Sequence, residues 1–472
     1  MEPTHRRDLL KHLMAGLAAA GIPFSSANSQ APVTRKVIVA GAGIGGLCCA
    51  YELMRRGHEV TVLESAGRAG GHILTVRDRL ADGLYADAGA EHFYRPGYDL
   101  LWQYLDEFHL PVVFYPRRDN MVRYLGGKPY TEAMLADRGV LKKFALNRKE
   151  TDYLVSHPWA EFSQLYYGPY LDSFQNEYRP FDAGLNHLDR LSVTAFLEKQ
   201  GASAAAIRFL GGEKSALHAI WFCAIKKHRG MHQFERRVFR IKGGNQALTD
   251  AFAAKLGDRL RLASPVTAIE HGNSGVTVHY NESGRPEKMD ADYLVNCLPM
   301  VALRKIPVTP DWPESRRYIV RNLPYDSYGR AILQSRTRFW EKDGVSPNLE
   351  FESAELSSVW RMADEVDTPR GLLIGTAPIG SAEKALAAFR KYYPGRSEDI
   401  EQSLAVDWTH DPWASCCLPV SYAPGELAKF WPEVIQPCGR IHFAGVYADN
   451  LTFGMEAAVR SAHRVAEAIH QA

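Results

Sequence analysis

The chain has 472 residues, 46 % of them apolar and 23 % charged, enough for two to three domains with sizeable cores. Its 56 basic and 54 acidic residues leave a formal charge of +2, which argues against nucleic acid or a strongly acidic macromolecule as partner. Seven cysteines include the adjacent pairs Cys48-Cys49 and Cys416-Cys417, with no C-x-x-C or H-E-x-x-H, so neither a disulfide framework nor a zinc site is indicated.

Arg6-Arg7-Asp8-Leu9-Leu10-Lys11 precedes a modest apolar run, Leu13 to Ile22, and then small polar residues. This resembles a twin-arginine export signal, here taken as residues 1–31, and implies a periplasmic protein. The run is too short for a stable membrane span, which needs about 20 apolar residues. Val37-Ile38-Val39-Ala40 then reads as a strand buried on both faces. Gly41-Ala42-Gly43-Ile44-Gly45-Gly46 opens a helix with Leu47, Ala50, Leu53 and Met54 at helical spacing, and Gly57 ends it. Glu59 to Leu63 is a second strand, with Glu64 at its end.

This βαβ unit is built for a dinucleotide. Gly41 permits the tight turn, Gly43 lets the backbone approach a pyrophosphate, and Gly46 lets helix and strand pack closely. The helix N-terminus, through Ile44 and Gly45, offers N–H groups and a positive dipole end to phosphate. Glu64, followed by Ser65, accepts hydrogen bonds from ribose hydroxyls and repels a 2′-phosphate. The unit alone does not choose between nicotinamide and flavin.

The next segment does. Arg68-Ala69-Gly70-Gly71 completes an E-x-x-x-R-x-G-G run, and here the chain resembles the flavin monoamine oxidase and L-amino acid oxidase superfamily. The resemblance implies FAD, with this segment closing over the pyrophosphate and Arg68 pairing to phosphate. His72 stands where the family usually has a second arginine. Asp87-Ala88-Gly89-Ala90-Glu91-His92 is similar to the family segment whose backbone passes along the flavin, which makes Glu91 and His92 candidate site-lining side chains.

From Gly97 to about Arg229 helical patterns dominate. Leu100, Tyr104 and Phe108 form one apolar stripe, and Trp159, Phe162, Tyr166, Tyr167, Tyr170 and Phe174 form an aromatic one read as core. The basic stretch Lys226-Lys227-His228-Arg229, with Arg236, Arg237 and Arg240, is read as a solvated face, with steering of an anionic substrate as the alternative. Lys242 to Leu248 opens a further helix. Ser264-Pro265-Val266 resembles the family segment whose valine backbone meets the adenine, and Asp292 to Pro299 the strand and turn returning to the cofactor. Arg338 to Gly344 matches a substrate-domain segment. Arg440 to Gly445 is a strand and turn, after which Phe453-Gly454-Met455-Glu456 starts a helix with Ala458, Ala462, Val465 and Ile469 on its apolar face. A helix N-terminus at the flavin pyrimidine would stabilise negative charge there.

The expected fold is α/β: a discontinuous Rossmann-like FAD-binding domain (33–95, 235–303 and 405–472) with a mixed sheet-plus-helices substrate domain (96–234 and 304–404). The implied activity is oxidative deamination of a small-molecule amine or L-amino acid, by hydride transfer to flavin N5, with molecular oxygen as acceptor and hydrogen peroxide released. No metal is implied. Four positions depart from the family pattern. Arg330 stands where a lysine is common near N5; it keeps positive charge, cannot act as a base, and could clamp a substrate carboxylate. Leu418 and Gly454 occupy the positions of two caging aromatic rings, leaving Trp413, Tyr447 and Phe453 as nearby substitutes. Val446 replaces a ribityl-binding glutamate, with Asp449 as a candidate stand-in. Cys417 falls at the position of a flavin-linked cysteine, so a covalent thioether and an unreactive buried thiol are both open. Two rival functions follow: an FAD-dependent carbon–carbon desaturase or dehydrogenase of an apolar substrate, suited to the roomier pocket of Leu418 and Gly454, and a catalytically silent flavoprotein.

Overall fold

The computed structural model describes residues 33–344, 346–377, 381–393, 395–415, 418–419, 422–451 and 454–472. In chain order, the elements that position the site are β1 (Lys36–Ala40), α1 (Ile44–Arg55), β2 (Glu59–Leu63), β3 (Phe93–Tyr94), α2 (Asp99–Glu107), β4 (Val112–Phe114), β5 (Val238–Ile241), β6 (Leu260–Arg261), β7 (Tyr293–Asn296), β8 (Gly329–Ser335), β9 (Ile441–Phe443) and α3 (Gly454–Gln471). Arg35–Ala472 holds together as one unit.

A five-stranded sheet in the order β6-β2-β1-β7-β9 carries the cofactor motifs, and all its pairs are parallel. Val37 and Val39 pack with Leu47, Leu53, Ala458 and Ala462 on one side. Ile38 and Ala40 pack with Leu294, Ile441 and the helical region around Ile220 and Trp221 on the other. A parallel sheet covered on both faces explains the unbroken apolar run of β1. The small apolar face of α3 lets it lie close against α1: a Cβ built on Gly45 would sit 3.5 Å from the Ala458 Cβ. Three widely separated stretches of chain therefore build one sheet.

A seven-stranded mixed sheet draws on residues 122–131, 329–335, 349–362, 371–377 and 400–407, with β8 inside it. A smaller antiparallel sheet, β3-β5-β4, joins residues 93–114 to 238–241. The aromatic stripe at 159–174 is core as expected, with Phe162, Tyr166, Tyr167 and Phe174 buried. It is not one helix, however, but a single helical turn (Gln164–Tyr167) between 3-10 segments. Pro169 has no N–H to give to an α-helical ladder, which accounts for the break.

The basic stretch is solvated only in part: Lys227, His228, Arg236 and Arg237 are exposed, whereas Arg229 and Arg240 are not. Arg240 is 1 % exposed and sits 3.6 Å from Asp87, with Glu365 on its other side. Arg229 pairs with Glu177 at 3.0 Å and with Asp449 at 3.2 Å. Carboxylates far away in sequence bury these cations, so no solvated face runs through them. Among the described residues no helix is long and apolar enough to cross a membrane, and no cluster could hold a metal ion. The five described cysteines are free thiols. Residues 1–31, Cys417 and Phe453 lie outside the described residues, and the side chain of Leu418 does too.

Candidate active site

A cavity of about 460 Å3 begins at the end of β1 and runs to the wall formed by Glu91 and Arg330. At its first end Gly41 turns the chain with φ +100°, a left-handed conformation that favours glycine. Gly46 packs on that turn: a Cβ there would lie 1.9 Å from the Gly41 carbonyl oxygen. Gly43 is different. It caps α1, and a Cβ built on it meets nothing within 4 Å, because it would project into the cavity. The cap supplies no side chain to the helix N-terminus, and the first turn has no acidic residue. The N–H groups and positive dipole end are therefore left for an anion.

Glu64 accepts hydrogen bonds from the Ala42 N–H (2.6 Å) and the Ala66 N–H (2.8 Å), one on each oxygen. Each oxygen keeps acceptor capacity for a ribose hydroxyl. Burial pushes the Glu64 carboxyl up from its ordinary value, and these N–H groups work against it. Arg68 lines the cavity as well. It donates to the carbonyls of Ala69 (3.1 Å), Ile73 (3.2 Å) and Gly71 (2.6 Å), bracing the Gly70-Gly71 turn from within. His72 holds its Nε2 2.7 Å from the Ala414 carbonyl and packs edge-on to Trp408. Burial lowers its pKa, so it is a neutral ring in place of a cation. Gly445 and Val446 line the same cavity opposite Gly43, and Gly454 and Met455 bring the N-terminus of α3 to it. An open glycine cradle, an uncapped helix and a diol-binding carboxylate fit a flavin dinucleotide.

At the far end the side chains are charged and aromatic. Arg330, on β8, donates to Thr376 Oγ1 at 2.7 Å and lies 3.5 Å from Glu91 Oε2. Arg117, just past β4, donates to Glu91 Oε1 and comes within 2.8 Å of His92 Nδ1. Both guanidiniums face the Trp360 indole, at 3.7 Å and 5.6 Å from its centroid, which offsets part of their mutual repulsion. Arg118 donates to Tyr94 Oη at 2.9 Å, and that hydroxyl also meets His92 Nε2 at 2.7 Å. Burial alone would raise the Glu91 carboxyl, but Arg117 and Arg330 hold it down at about 2. Burial, helped by Arg117, lowers His92 to about 4. At neutral pH this wall contains an anion, a neutral imidazole and three guanidiniums.

The family model for flavin containing amine oxidoreductases matches residues 44–470. The chain belongs to that family. It is an FAD-dependent oxidoreductase. An L-amino-acid oxidase of Pseudechis australis is 25 % identical over 455 residues, covering 90 % of this chain and 85 % of that protein. An L-amino acid oxidase of Bothrops pictus is 26 % identical over 463 residues, covering 93 % and 90 %. Among solved structures, wild-type putrescine oxidase bound to putrescine superposes with a TM-score of 0.77 at 21 % identity, covering 93 % of this chain and 100 % of that one. Cyclohexylamine oxidase from Brevibacterium oxydans gives 0.73 at 21 % identity, covering 93 % and 99 %. These two likenesses show the fold, α/β with mixed sheets.

Within this amine oxidoreductase, the cavity gathers most residues singled out from the sequence: the glycine turn, Glu64, Ser65, Arg68, His72, Gly89 to His92, Arg330, and Gly445 to Val446 with Gly454 and Met455. Trp413 lines it too, at the mouth, where it is 47 % exposed. Val266 is not in the lining; it is buried at the start of a neighbouring sheet, two residues beyond Ser264, whose N–H is bonded to the Glu64 carbonyl. Asp449 is not a ribityl stand-in. It is fully buried in an ion-pair cluster with Arg229 and Arg460, and accepts from Tyr178 Oη at 2.9 Å.

The space expected at Gly454 is filled. A Cβ at Gly454 would meet the Tyr98 hydroxyl at 2.2 Å, so an aromatic ring does stand there, supplied by another segment. Tyr98, Arg117 and Arg118 are the residues that sequence reading missed. The Pro116-Arg117-Arg118-Asp119 turn directly after the apolar strand Val112–Phe114 was the available signal for the two arginines.

Proposed function

We propose that this protein is an oxidase of L-amino acids, deaminating them oxidatively with oxygen as acceptor and hydrogen peroxide as product. The observation that carries this reading is the charge of the far wall: Arg117, Arg118 and Arg330 against the single carboxylate Glu91. A net positive wall favours the carboxylate of an amino acid and disfavours a simple cationic amine. A flavin held by the glycine turn, Glu64 and the N-termini of α1 and α3 would supply the acceptor for hydride from the carbon next to the amine and the route for its electrons to oxygen. The chain's own groups bind and orient. Glu91 keeps the guanidiniums in place, and Arg330 holds positive charge beside the Gly89 carbonyl. The aromatic lining of Tyr94, Tyr98, Tyr325 and Tyr328 excludes water. With pKa values held down at about 2 and about 4, Glu91 and His92 are weak proton acceptors at neutral pH, which suits a hydride transfer that needs no side-chain base. The ring of Tyr98 beside Gly454 fills part of the space that a desaturase reading relied on.

The test is anaerobic mixing of the FAD-loaded protein with L-amino acids and with primary amines. L-Amino acids should bleach the flavin absorbance, with peroxide appearing on admission of air. Bleaching by amines alone, or only by an apolar carbon–carbon substrate, overturns the reading. Residues 1–31 are proposed to direct twin-arginine export. Replacing Arg6 and Arg7 by lysine should keep the protein in the cytoplasm, and unchanged fractionation refutes that.

A further inference from the structure

We propose that Tyr98 is a substrate-binding residue, whose ring closes the substrate chamber beside Gly454 and whose hydroxyl donates a hydrogen bond to the substrate carboxylate. The proposal deepens the amino acid oxidase reading and rests on it for the identity of the acceptor group.

Four observations carry it. Tyr98 lines the cavity yet is only 1 % exposed, so its phenol is set into the wall. Among the described residues its hydroxyl has no hydrogen-bond partner, whereas neighbouring Tyr94 has two. The ring is buried, but its hydroxyl is not fully enclosed and is left for a ligand in the cavity to satisfy. Gly454 approaches that hydroxyl so closely that any side chain would collide with it at 2.2 Å, and its φ of +76° favours glycine in addition. Tyr98 and Gly454 are thus a matched pair: the ring is held by one segment and its space by the other.

The position is also fixed from behind. Tyr98 is the N-cap residue of α2. Glu456, in the first turn of α3, accepts hydrogen bonds from the Leu100 N–H (3.2 Å) and the Leu101 N–H (2.9 Å). One carboxylate therefore ties the start of α2, with Tyr98 on it, to the helix that begins at Gly454. The Tyr98 ring stands edge-on to Tyr94 with centroids 5.3 Å apart, beside the hydroxyl that Arg118 holds. An anion drawn in by Arg117 and Arg118 arrives next to this phenol. Burial pushes the phenol well above its ordinary pKa, so it remains a neutral donor.

The experiment uses oxidised, FAD-loaded enzyme and benzoate as a non-reacting carboxylate probe, followed by the shift in flavin absorbance. Tyr98→Phe keeps the ring and removes the hydroxyl. Its Kd for benzoate should rise about tenfold, the loss of one hydrogen bond to a charged group. The KM for an oxidised amino acid should rise by a similar factor, with kcat changing less. Unchanged Kd and KM overturn the proposal, as does a parent holoenzyme that binds no benzoate. A double-mutant cycle adds a second reading. Gly454→Ala should weaken benzoate binding more in the parent, where it also displaces the phenol, than in Tyr98→Ala, where only the backbone strain at φ +76° remains; equal effects in the two backgrounds overturn the pairing. If the parent binds benzoate but no amino acid bleaches it, the oxidase reading falls while the benzoate ratio still decides the role of Tyr98.

Discussion

Two glycines three residues apart should respond to alanine in different ways. Gly43→Ala adds a methyl group at a helix cap whose φ of −65° and ψ of 171° any residue adopts, and it meets no protein atom within 4 Å. Loss of an N-cap glycine costs a few tenths to about 1 kcal/mol. The reduced freedom of the unfolded chain returns about 0.4–1 kcal/mol. The apoprotein should therefore keep its stability to within about 0.5 kcal/mol. The methyl group nevertheless occupies the space into which the pyrophosphate must come to reach the N–H groups of α1. Losing one or two charge-assisted hydrogen bonds, at about 1.5–3 kcal/mol each, weakens FAD binding by at least tenfold. Gly46→Ala puts its methyl 1.9 Å from the Gly41 carbonyl oxygen, which is backbone and cannot rotate away. It should cost the apoprotein about 1–3 kcal/mol as well as FAD affinity. Urea unfolding of the two apoproteins and FAD titration by fluorescence quenching separate these outcomes. If Gly43→Ala bound FAD as tightly as the parent, the cradle would not be where the pyrophosphate lies, and the reasoning would fail.

Removing the Glu91 charge as Glu91→Gln leaves Arg117 and Arg330 without their shared counter-ion and should destabilise the protein by about 3 kcal/mol in urea unfolding. The Glu91 pKa is depressed on folding, from an ordinary 4.5 to about 2. Its contribution is therefore complete above pH 4.5 and fades as pH falls towards 2, so the parent should lose more stability across that window than Glu91→Gln does. Arg117→Lys keeps the charge but loses the planar fork, and should raise the KM for an amino acid about tenfold with a smaller change in kcat, read by peroxide formation. Arg240→Met strands Asp87 in the interior, takes the partner from half-buried Glu365, and should lower stability by about 3 kcal/mol. A loss under 1 kcal/mol would show that this cluster is not needed.

The cofactor end of the molecule was legible because its requirements are local. β1, the glycine turn, α1 and Glu64 lie within 29 residues, and each has a residue type set by backbone geometry or by a phosphate. The order of the later segments then placed Gly445 and the start of α3 at the same cavity. The substrate end was not legible in that way. Arg117 and Arg118 reach Glu91 only because β3 and β4 both pair with β5, more than 120 residues away. Gly454 read as an empty position because sequence shows what a residue lacks and not which ring fills the gap; Tyr98 does so from a turn 356 residues earlier. Within the basic stretch 226–240, Lys227, Arg236 and Arg237 are exposed as read, but Arg229 and Arg240 turn inward for a similar reason: their counter-ions, Asp87, Glu177, Glu365 and Asp449, come from four other places in the chain.

The edge strand β9 and helix α3 come from residues 441–471, far in sequence from the glycine turn, yet they complete both the sheet and the cavity wall beside Gly45. A nascent polypeptide emerging from the ribosome thus lacks this side of the coenzyme cavity until residues 441–471 have been made. Contacts spanning that much chain are slow to close, so an aborted product lacking this stretch should emerge without bound coenzyme and with the apolar flank of α1 laid bare.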